Sequence, residues 1–140
     1  MIWRLYPDYQ VFSDTRTLNT EIYRQYMSIV GGNTNTYFGV PEWKALLDVY
    51  GIRTIIHGTV NPYSGEIYPL MLHLLKDDSW HLVYVDGIVA ILTKEQSKAL
   101  TEYPKEKLLH QMRLEIERGL HQFPGHQGFL RSLAVVSQYR

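Results

Sequence analysis

The sequence predicts an α/β fold, in which a mixed sheet of about four strands is flanked by helices and followed by an α-helical hairpin. Short runs of β-forming residues alternate with stretches of helical periodicity along the first part of the chain. Two apolar runs flank Asp86-Gly87, a pair typical of a β-hairpin turn. After Thr93 only helical patterns remain. We therefore expect an α/β domain over residues 1–94 and a helical hairpin, packed on it, over residues 95–140.

The first half of the chain contains the patterns of a strand, two helices and a second strand. The β-forming run at residues 9–13 predicts the first strand. Helical spacing predicts a helix ending at Gly31-Gly32, a turn-rich loop over residues 33–39, and a second helix with Pro41 in its first turn. The run 52–60 predicts the second strand, which we consider too apolar for a sheet edge. Because a crossover of two helices joins the strands, we expect them to be parallel.

The second half predicts a helix, a β-hairpin and two further helices. Residues 67–75 have apolar side chains at helical spacing, with Pro69 in the first turn. In the hairpin, the apolar run 88–92 should lie in the centre of the sheet, and Asp86-Gly87 should form a type I′ turn. Two apolar stripes then predict helices joined at residues 123–125. The stripes comprise Leu109, Met112, Ile116, Leu120 and Phe123 in the first helix, and Phe129, Leu130, Leu133 and Val136 in the second.

The composition is that of a globular domain without charge bias. Of 140 residues, 45% are hydrophobic and 20% are charged. Lys plus Arg and Asp plus Glu number 14 each, so there is no electrostatic case for binding nucleic acid. The absence of cysteine excludes disulfides, thiolate nucleophiles and Cys-ligated zinc. No apolar run approaches the roughly 20 residues of a membrane-spanning helix. The partly apolar start suggests a start inside a longer protein.

Asp14 and Arg16 follow the first predicted strand, where α/β enzymes often carry catalytic groups, and His57 lies near the end of the second. A carboxylate and a guanidinium two residues apart could bind an anion or position a base. No nucleophile motif or glycine-rich loop accompanies them, so we favour a local tie at the strand end and assign no catalytic residue. Tyr37 is a fourth candidate binding residue.

Histidine and tyrosine give two further candidate sites. The six histidines lack the i, i+4 helical spacing or i, i+2 strand spacing of a two-histidine metal site, so we predict no metal and no cofactor. Six aromatic side chains could line a sugar-binding groove by stacking, namely Trp3, Tyr6, Tyr9, Tyr23, Tyr26 and Tyr37. They could equally fill the seam between sheet and helices, which their helical spacing favours.

Four segments occur in an order that resembles a known family. They read "WRLYPDYQVFSDTR", "EIYRQYMSIVGG", "WKALLDVYGIRTII" and "WHLVYVDGIVAIL". This order resembles the soluble C-terminal tail of bacterial polytopic membrane proteins of the glycosyltransferase-C type, the dolichyl-phosphate-mannose mannosyltransferase-like group. The resemblance covers about the first two thirds of the chain, and this chain has Thr15 where the family often has glycine. The last third is similar to a tetratricopeptide-type helical pair, with "FPGHQGFLRSLA" at the turn.

The resemblance implies an accessory domain on the periplasmic or extracellular side of the bacterial inner membrane. Catalysis in such transferases is expected on loops of the membrane portion, so no catalytic residue is carried over to this chain. The implied partner is the membrane portion of a parent protein or another protein, and a glycan is a further candidate.

Three functions therefore stay open. The first is a non-catalytic accessory or interaction domain of a membrane glycosyltransferase-like protein. The second is a carbohydrate- or peptide-binding module that uses the aromatic side chains and the terminal helical hairpin. The third, and least favoured, is a small α/β hydrolase or transferase that uses Asp14, Arg16 and His57.

Overall fold

The computed structural model describes residues 19–96 and 100–139. It confirms the α/β class, with five helices, a three-stranded sheet and a short strand pair in those ranges. The chain separates into two compact units, Met1–Ile52 and Arg53–Arg140. The expected boundary at residue 94 falls inside the second unit.

The described part of the first unit contains two helices and a minimal hairpin. The elements are α1 (Thr20–Val30), β1 (Thr36–Tyr37), β2 (Val40–Pro41) and α2 (Glu42–Val49). The hairpin replaces part of the predicted loop 33–39. Its two central residues, Phe38 and Gly39, have φ angles of 50° and 81°. Positive φ at both positions is what a type I′ turn requires, so this turn carries the left-handed backbone that glycine favours.

Both helices of this unit have recognisable end signals. The Asn19 side chain accepts hydrogen bonds from the backbone N–H groups of Glu21 and Ile22, at 2.9 and 3.2 Å, and so caps α1. Both helices then end in a Schellman motif, with a glycine at positive φ: Gly32 at 60° and Gly51 at 61°. Pro41 precedes α2 as its N-terminal cap instead of occupying the first turn.

The second unit contains the main sheet and three helices. Its elements are β3 (Thr54–Gly58), α3 (Pro69–Lys76), β4 (His81–Val85), β5 (Val89–Thr93), α4 (Lys105–Gln122) and α5 (Gln127–Ser137). The strand order is β3-β5-β4, and both pairs are antiparallel. The central position of β5 is confirmed. Within the described residues β3 lies at a sheet edge, contrary to expectation. The predicted parallel partner, residues 9–13, lies outside the described residues, and three strands are seen instead of about four.

The β4–β5 hairpin is confirmed, but the predicted turn type is wrong. Neither Asp86 nor Gly87 has a positive φ. Instead, the Asp86 carboxylate accepts hydrogen bonds from the backbone N–H groups of Ile88 and Val89, at 2.8 and 2.9 Å. An aspartate side chain that bonds its own turn offers an alternative to the left-handed backbone. The pair Asp86-Gly87 therefore correctly predicted a turn, but the backbone geometry of that turn is not type I′.

The helix-covered side of the sheet forms the core of this unit. Cross-strand neighbours Ile55, Leu92 and Leu82 form a buried row. The helices add further buried side chains, namely Leu70, Met71, Leu74, Leu108, Met112 and Ile116. The predicted stripe of α4 is shifted, since Leu108 rather than Leu109 is buried and Phe123 is 53% exposed.

Helix α5 approaches its neighbours through small residues. The Ser132 hydroxyl donates to the Gly65 carbonyl oxygen at 2.9 Å and accepts from the Ile67 N–H at 3.1 Å. A Cβ atom at Gly128 would lie 1.6 Å from the Ser64 carbonyl oxygen. Ser132 is therefore one of the residues of α5 that face inward, whereas the predicted apolar stripe of this helix placed Leu130 inward. In residues 19–96 and 100–139, no helix combines the length and apolar content that crossing a bilayer requires.

Candidate functional site

Of the four predicted binding residues, only His57 has a described side chain. Asp14 and Arg16 lie outside the described residues. Tyr37 belongs to β1, but its side chain also lies outside the described part. The convergence of Asp14, Arg16 and His57 that the hydrolase hypothesis requires therefore stays a prediction.

The structure accounts for the position of His57 through its protein contacts. The ring Nδ1 lies 2.9 Å from the Gly58 carbonyl oxygen, and because a carbonyl only accepts, Nδ1 carries the proton. The ring meets the Tyr68 ring edge-on, with centroids 4.5 Å apart and an interplanar angle of 88°. These contacts hold a half-buried histidine at the end of β3. They give the hydrolase hypothesis no support.

The opposite side of the sheet carries a surface that the sequence did not reveal. We define the outer sheet face by its middle row, formed by the cross-strand neighbours Ile56, Ile91 and Tyr84. The row exists because a β-bulge at Val83 shifts the register, so that Leu82 points inward and Tyr84 outward. Ile56 is 61% exposed and Tyr84 is 44% exposed. The row is therefore apolar across all three strands and open to solvent at both ends.

One margin of the outer sheet face is anionic. The Tyr84 hydroxyl donates to Asp86 Oδ2 at 2.9 Å. Hydrogen bonds from the N–H groups of Val89 and Ile88, with that from Tyr84, lower the pKa of Asp86. The hydrogen bond to Asp86 and its negative charge raise the pKa of Tyr84. The turn thus presents a fixed negative charge beside Ile88, which is 78% exposed.

The other margin is polar and more crowded. His81 Nδ1 lies 2.7 Å from Glu102 Oε1, and its other ring nitrogen lies 3.3 Å from Gln96 Nε2. The cross-strand hydroxyls of Thr54 and Thr93 are 3.4 Å apart. An apolar centre between polar margins is the arrangement of protein–protein interfaces.

Glu115 of α4 is a titratable residue that sequence reasoning missed. It is half-buried, and burial raises its pKa from 4.5 to about 7, against the lowering effect of a hydrogen bond from Thr59. The one available sequence signal is its position three residues after Met112, at the border of the buried stripe. That position alone does not distinguish a buried carboxyl from a solvated one.

The remaining groove and the remaining polar side chains are weaker candidates for a binding site than the outer sheet face. A groove of about 170 Å³ between α4 and α5 is lined by Glu106, Leu109, His110, Arg113 and Val136. Small-molecule sites usually enclose about 300–1,000 Å³, so this groove is small for a substrate pocket. In the described ranges, no group of three or more His, Asp or Glu side chains is placed to hold a metal ion.

Comparison of the chain with protein-family models, curated proteins and solved structures found no match. The resemblance to membrane glycosyltransferase tails therefore stays a prediction from the sequence.

Proposed function

We propose that this chain is a non-catalytic interaction domain that binds a protein partner through the outer sheet face. One observation carries the proposal: the row Ile56, Ile91 and Tyr84 is apolar across three strands, and both of its ends are solvent-exposed. Scattered exposed apolar side chains are ordinary, whereas contiguous exposed apolar surface marks interaction sites.

The chemistry of this face suits a protein rather than a sugar. Aliphatic side chains supply most of the row, and Tyr84 adds one aromatic ring with a polar tip. Asp86 on one margin and His81 with Glu102 on the other supply directional contacts at the rim. We therefore expect a partner with an apolar ridge flanked by hydrogen-bond donors.

The resemblance in the sequence supplies the class of partner. In this proposal the domain is an accessory to a membrane glycosyltransferase-like protein, on the extracytoplasmic side of the bacterial inner membrane. Its partner is another part of that polypeptide or a protein that assembles with it. Bond-making takes place elsewhere in the assembly.

Site-specific photo-crosslinking tests this proposal. A benzophenone amino acid replaces Ile56 in one variant and the exposed Glu117 of α4 in a matched control. We expect one defined protein to crosslink from position 56 and none from position 117. The partner is then purified, and its affinity is measured calorimetrically for the wild type, Ile56→Ser and Glu117→Ser.

The expected result is a loss of at least about tenfold in affinity for Ile56→Ser, with no change for Glu117→Ser. Thermal unfolding of both variants should match the wild type, because both side chains are exposed. Equal affinity of the wild type and Ile56→Ser would refute the interface. Turnover of a glycosyl donor or an ester substrate by the purified chain would refute the non-catalytic role.

A carbohydrate-binding module is the second candidate, and one observation favours it. On α1 the rings of Tyr23 and Tyr26 are stacked, with centroids 6.4 Å apart and an interplanar angle of 30°. Tyr23 is 46% exposed, so its ring offers apolar surface to a ligand. A glycan array with the wild type and Tyr23→Ala decides between the candidates. Binding that is lost in Tyr23→Ala favours the sugar, and no binding by the wild type removes it.

A further inference from the structure

Glu115 sits where α4 meets the end of β3. Its Oε2 accepts a hydrogen bond of 2.7 Å from the hydroxyl of Thr59, a residue with no exposed surface. Its Oε1 is buried and has no hydrogen-bond partner. A neutral carboxyl group tolerates this environment better than a carboxylate, because the one hydrogen bond to Oε2 leaves the buried Oε1 of the anion desolvated without a donor.

The charged groups that face Glu115 come from its own helix and from the β4–β5 turn. Arg118 lies one helical turn further along α4 and attracts the carboxylate, whereas Asp86 of the turn repels it. The Arg118 guanidinium also lies against the turn, since a Cβ atom at Gly87 would be 3.4 Å from its nearest nitrogen. From the segment that follows β3, the Thr59 hydroxyl is the neighbouring group, and His57 lies two residues earlier in the chain.

Arg118 is therefore positioned between two carboxyl groups with different protonation behaviour. Asp86 keeps its charge, because the backbone N–H groups of Val89 and Ile88 and the Tyr84 hydroxyl all donate to it. Glu115 gains a charge only when it loses its proton. That new charge draws Arg118 away from the turn, and it also favours the entry of water at Oε1.

We propose that Glu115 is a proton-operated latch: in its neutral form it holds α4 on the end of β3 and leaves Arg118 against the β4–β5 turn, and in its charged form it releases that turn. The moving parts are the Glu115 side chain, the Arg118 side chain and residues 86–89. The latch involves only residues of this chain, so it can be tested whether or not the outer sheet face binds a partner.

A carbon-detected NMR titration of the labelled full chain from about pH 5 to pH 9 tests the latch. The Glu115 carboxyl signal should move with a midpoint near 7. The amide signals of Thr59, Gly87, Ile88 and Val89 should move with the same midpoint. Amide exchange at residues 86–89, corrected for its intrinsic pH dependence, should be several-fold faster at the high-pH end.

For each of four variants, the latch predicts a definite change in the titration midpoint or in the amide transition. Glu115→Gln keeps the shape of the side chain and should abolish the amide transition, which separates it from histidine titration. Asp86→Asn keeps the turn bonds but removes a repelling charge, so the midpoint should fall. Thr59→Val and Arg118→Gln each remove a group that favours the carboxylate, so the midpoint should rise.

Three outcomes would overturn the latch. One is a Glu115 carboxyl that titrates near its ordinary 4.5. Another is a set of 86–89 amides that do not respond while Glu115 titrates near 7, because proton release would then leave the turn in place. The third is an amide transition that persists in Glu115→Gln, which would assign it to a histidine.

Discussion

Asp86 and Glu115 are chemically similar carboxyl groups whose surroundings give them opposite behaviour. Asp86 lies in a turn at the surface, where it is partly exposed, and it accepts three hydrogen bonds that favour its charged form. Glu115 is half-buried with one hydrogen bond, and burial favours its neutral form. Residue type and charge count do not distinguish the two groups, whereas donor geometry and burial do.

The stability of the chain should depend on pH through Glu115. Its pKa of about 7 in the folded chain lies above the ordinary 4.5, so folding takes up a proton between those values. The resulting stability is fully present below pH 4.5 and is lost as pH rises through 7. A shift of this size corresponds to roughly 3 kcal/mol, which solvent screening at a half-buried site reduces to about 1 kcal/mol.

We therefore expect Glu115→Gln to be more stable than the wild type by about 1 kcal/mol at pH 8 and equally stable at about pH 4, below the ordinary pKa of 4.5. Urea unfolding followed by circular dichroism at both pH values measures the difference. Glu117→Gln, an exposed change on the same helix, is the control and should show no such difference. A Glu115→Gln variant that is less stable than the wild type at pH 8 would contradict the expectation.

At the scale of elements, the sequence predicted the helices of the first unit, their ends and the main hairpin better than the turn geometries and the side chains that face inward. Gly32 and Gly51 are glycines at helix ends, where the chain needs positive φ, so those ends were predictable. Both turn geometries were missed. Asp86 bonds its own turn through its side chain, and the type I′ turn lies instead at Phe38-Gly39, where the strands are too short to form an alternating pattern.

The inward face of α5 was also missed, for a packing reason. Ser132 is buried because its hydroxyl satisfies the Gly65 carbonyl and the Ile67 N–H, partners more than sixty residues away in sequence. A hydrophobic pattern predicts apolar side chains at buried positions, so it cannot predict that Ser132 faces inward. Leu130 is instead 41% exposed. Long-range hydrogen bonds of this kind determine the face of a helix without leaving a periodic signal.

Gly128→Ala should detach α5, with a loss of about 3 kcal/mol of stability. The added Cβ would lie 1.6 Å from the Ser64 carbonyl oxygen, so backbone must move. Helix propensity acts in the opposite direction, since alanine is better than glycine by about 1 kcal/mol. Thermal and urea unfolding measure the change, and the exposed neighbour Gln127→Ala serves as the control. A Gly128→Ala variant as stable as the wild type would show that α5 does not dock through this residue.

At the scale of the whole molecule, the change from mixed to purely helical sequence after Thr93 does not coincide with the boundary between compact units. Periodicity identifies elements, but the units are defined by the contacts between elements. Glu115 on α4 bonds Thr59 beyond β3, and Ser132 on α5 bonds Gly65 and Ile67. The outer sheet face was unpredictable for a related reason, because it exists only once three strands have paired in register.

The fragment 53–140 should fold by itself, whereas the fragment 95–140 should not. The longer fragment keeps the sheet, the buried rows beneath α4 and the bonds of Ser132. The shorter fragment keeps two helices of 18 and 11 residues without the surface that buries their apolar faces, and isolated helices of such lengths are marginal in water.

Trp80 provides the measurement, because it is fully buried and is the single tryptophan of residues 53–140. Fragment 53–140 should show blue-shifted Trp80 fluorescence, dispersed amide signals and one cooperative urea transition. Circular dichroism should show that fragment 95–140 has much less helix than the same residues have in the full chain. Adding the separate segment 53–94 should restore that helix, because its contacts bury the apolar faces of α4 and α5. Stable helices in 95–140 alone, or an unfolded 53–140, would instead place the boundary near residue 94 and make the helical hairpin an independent unit.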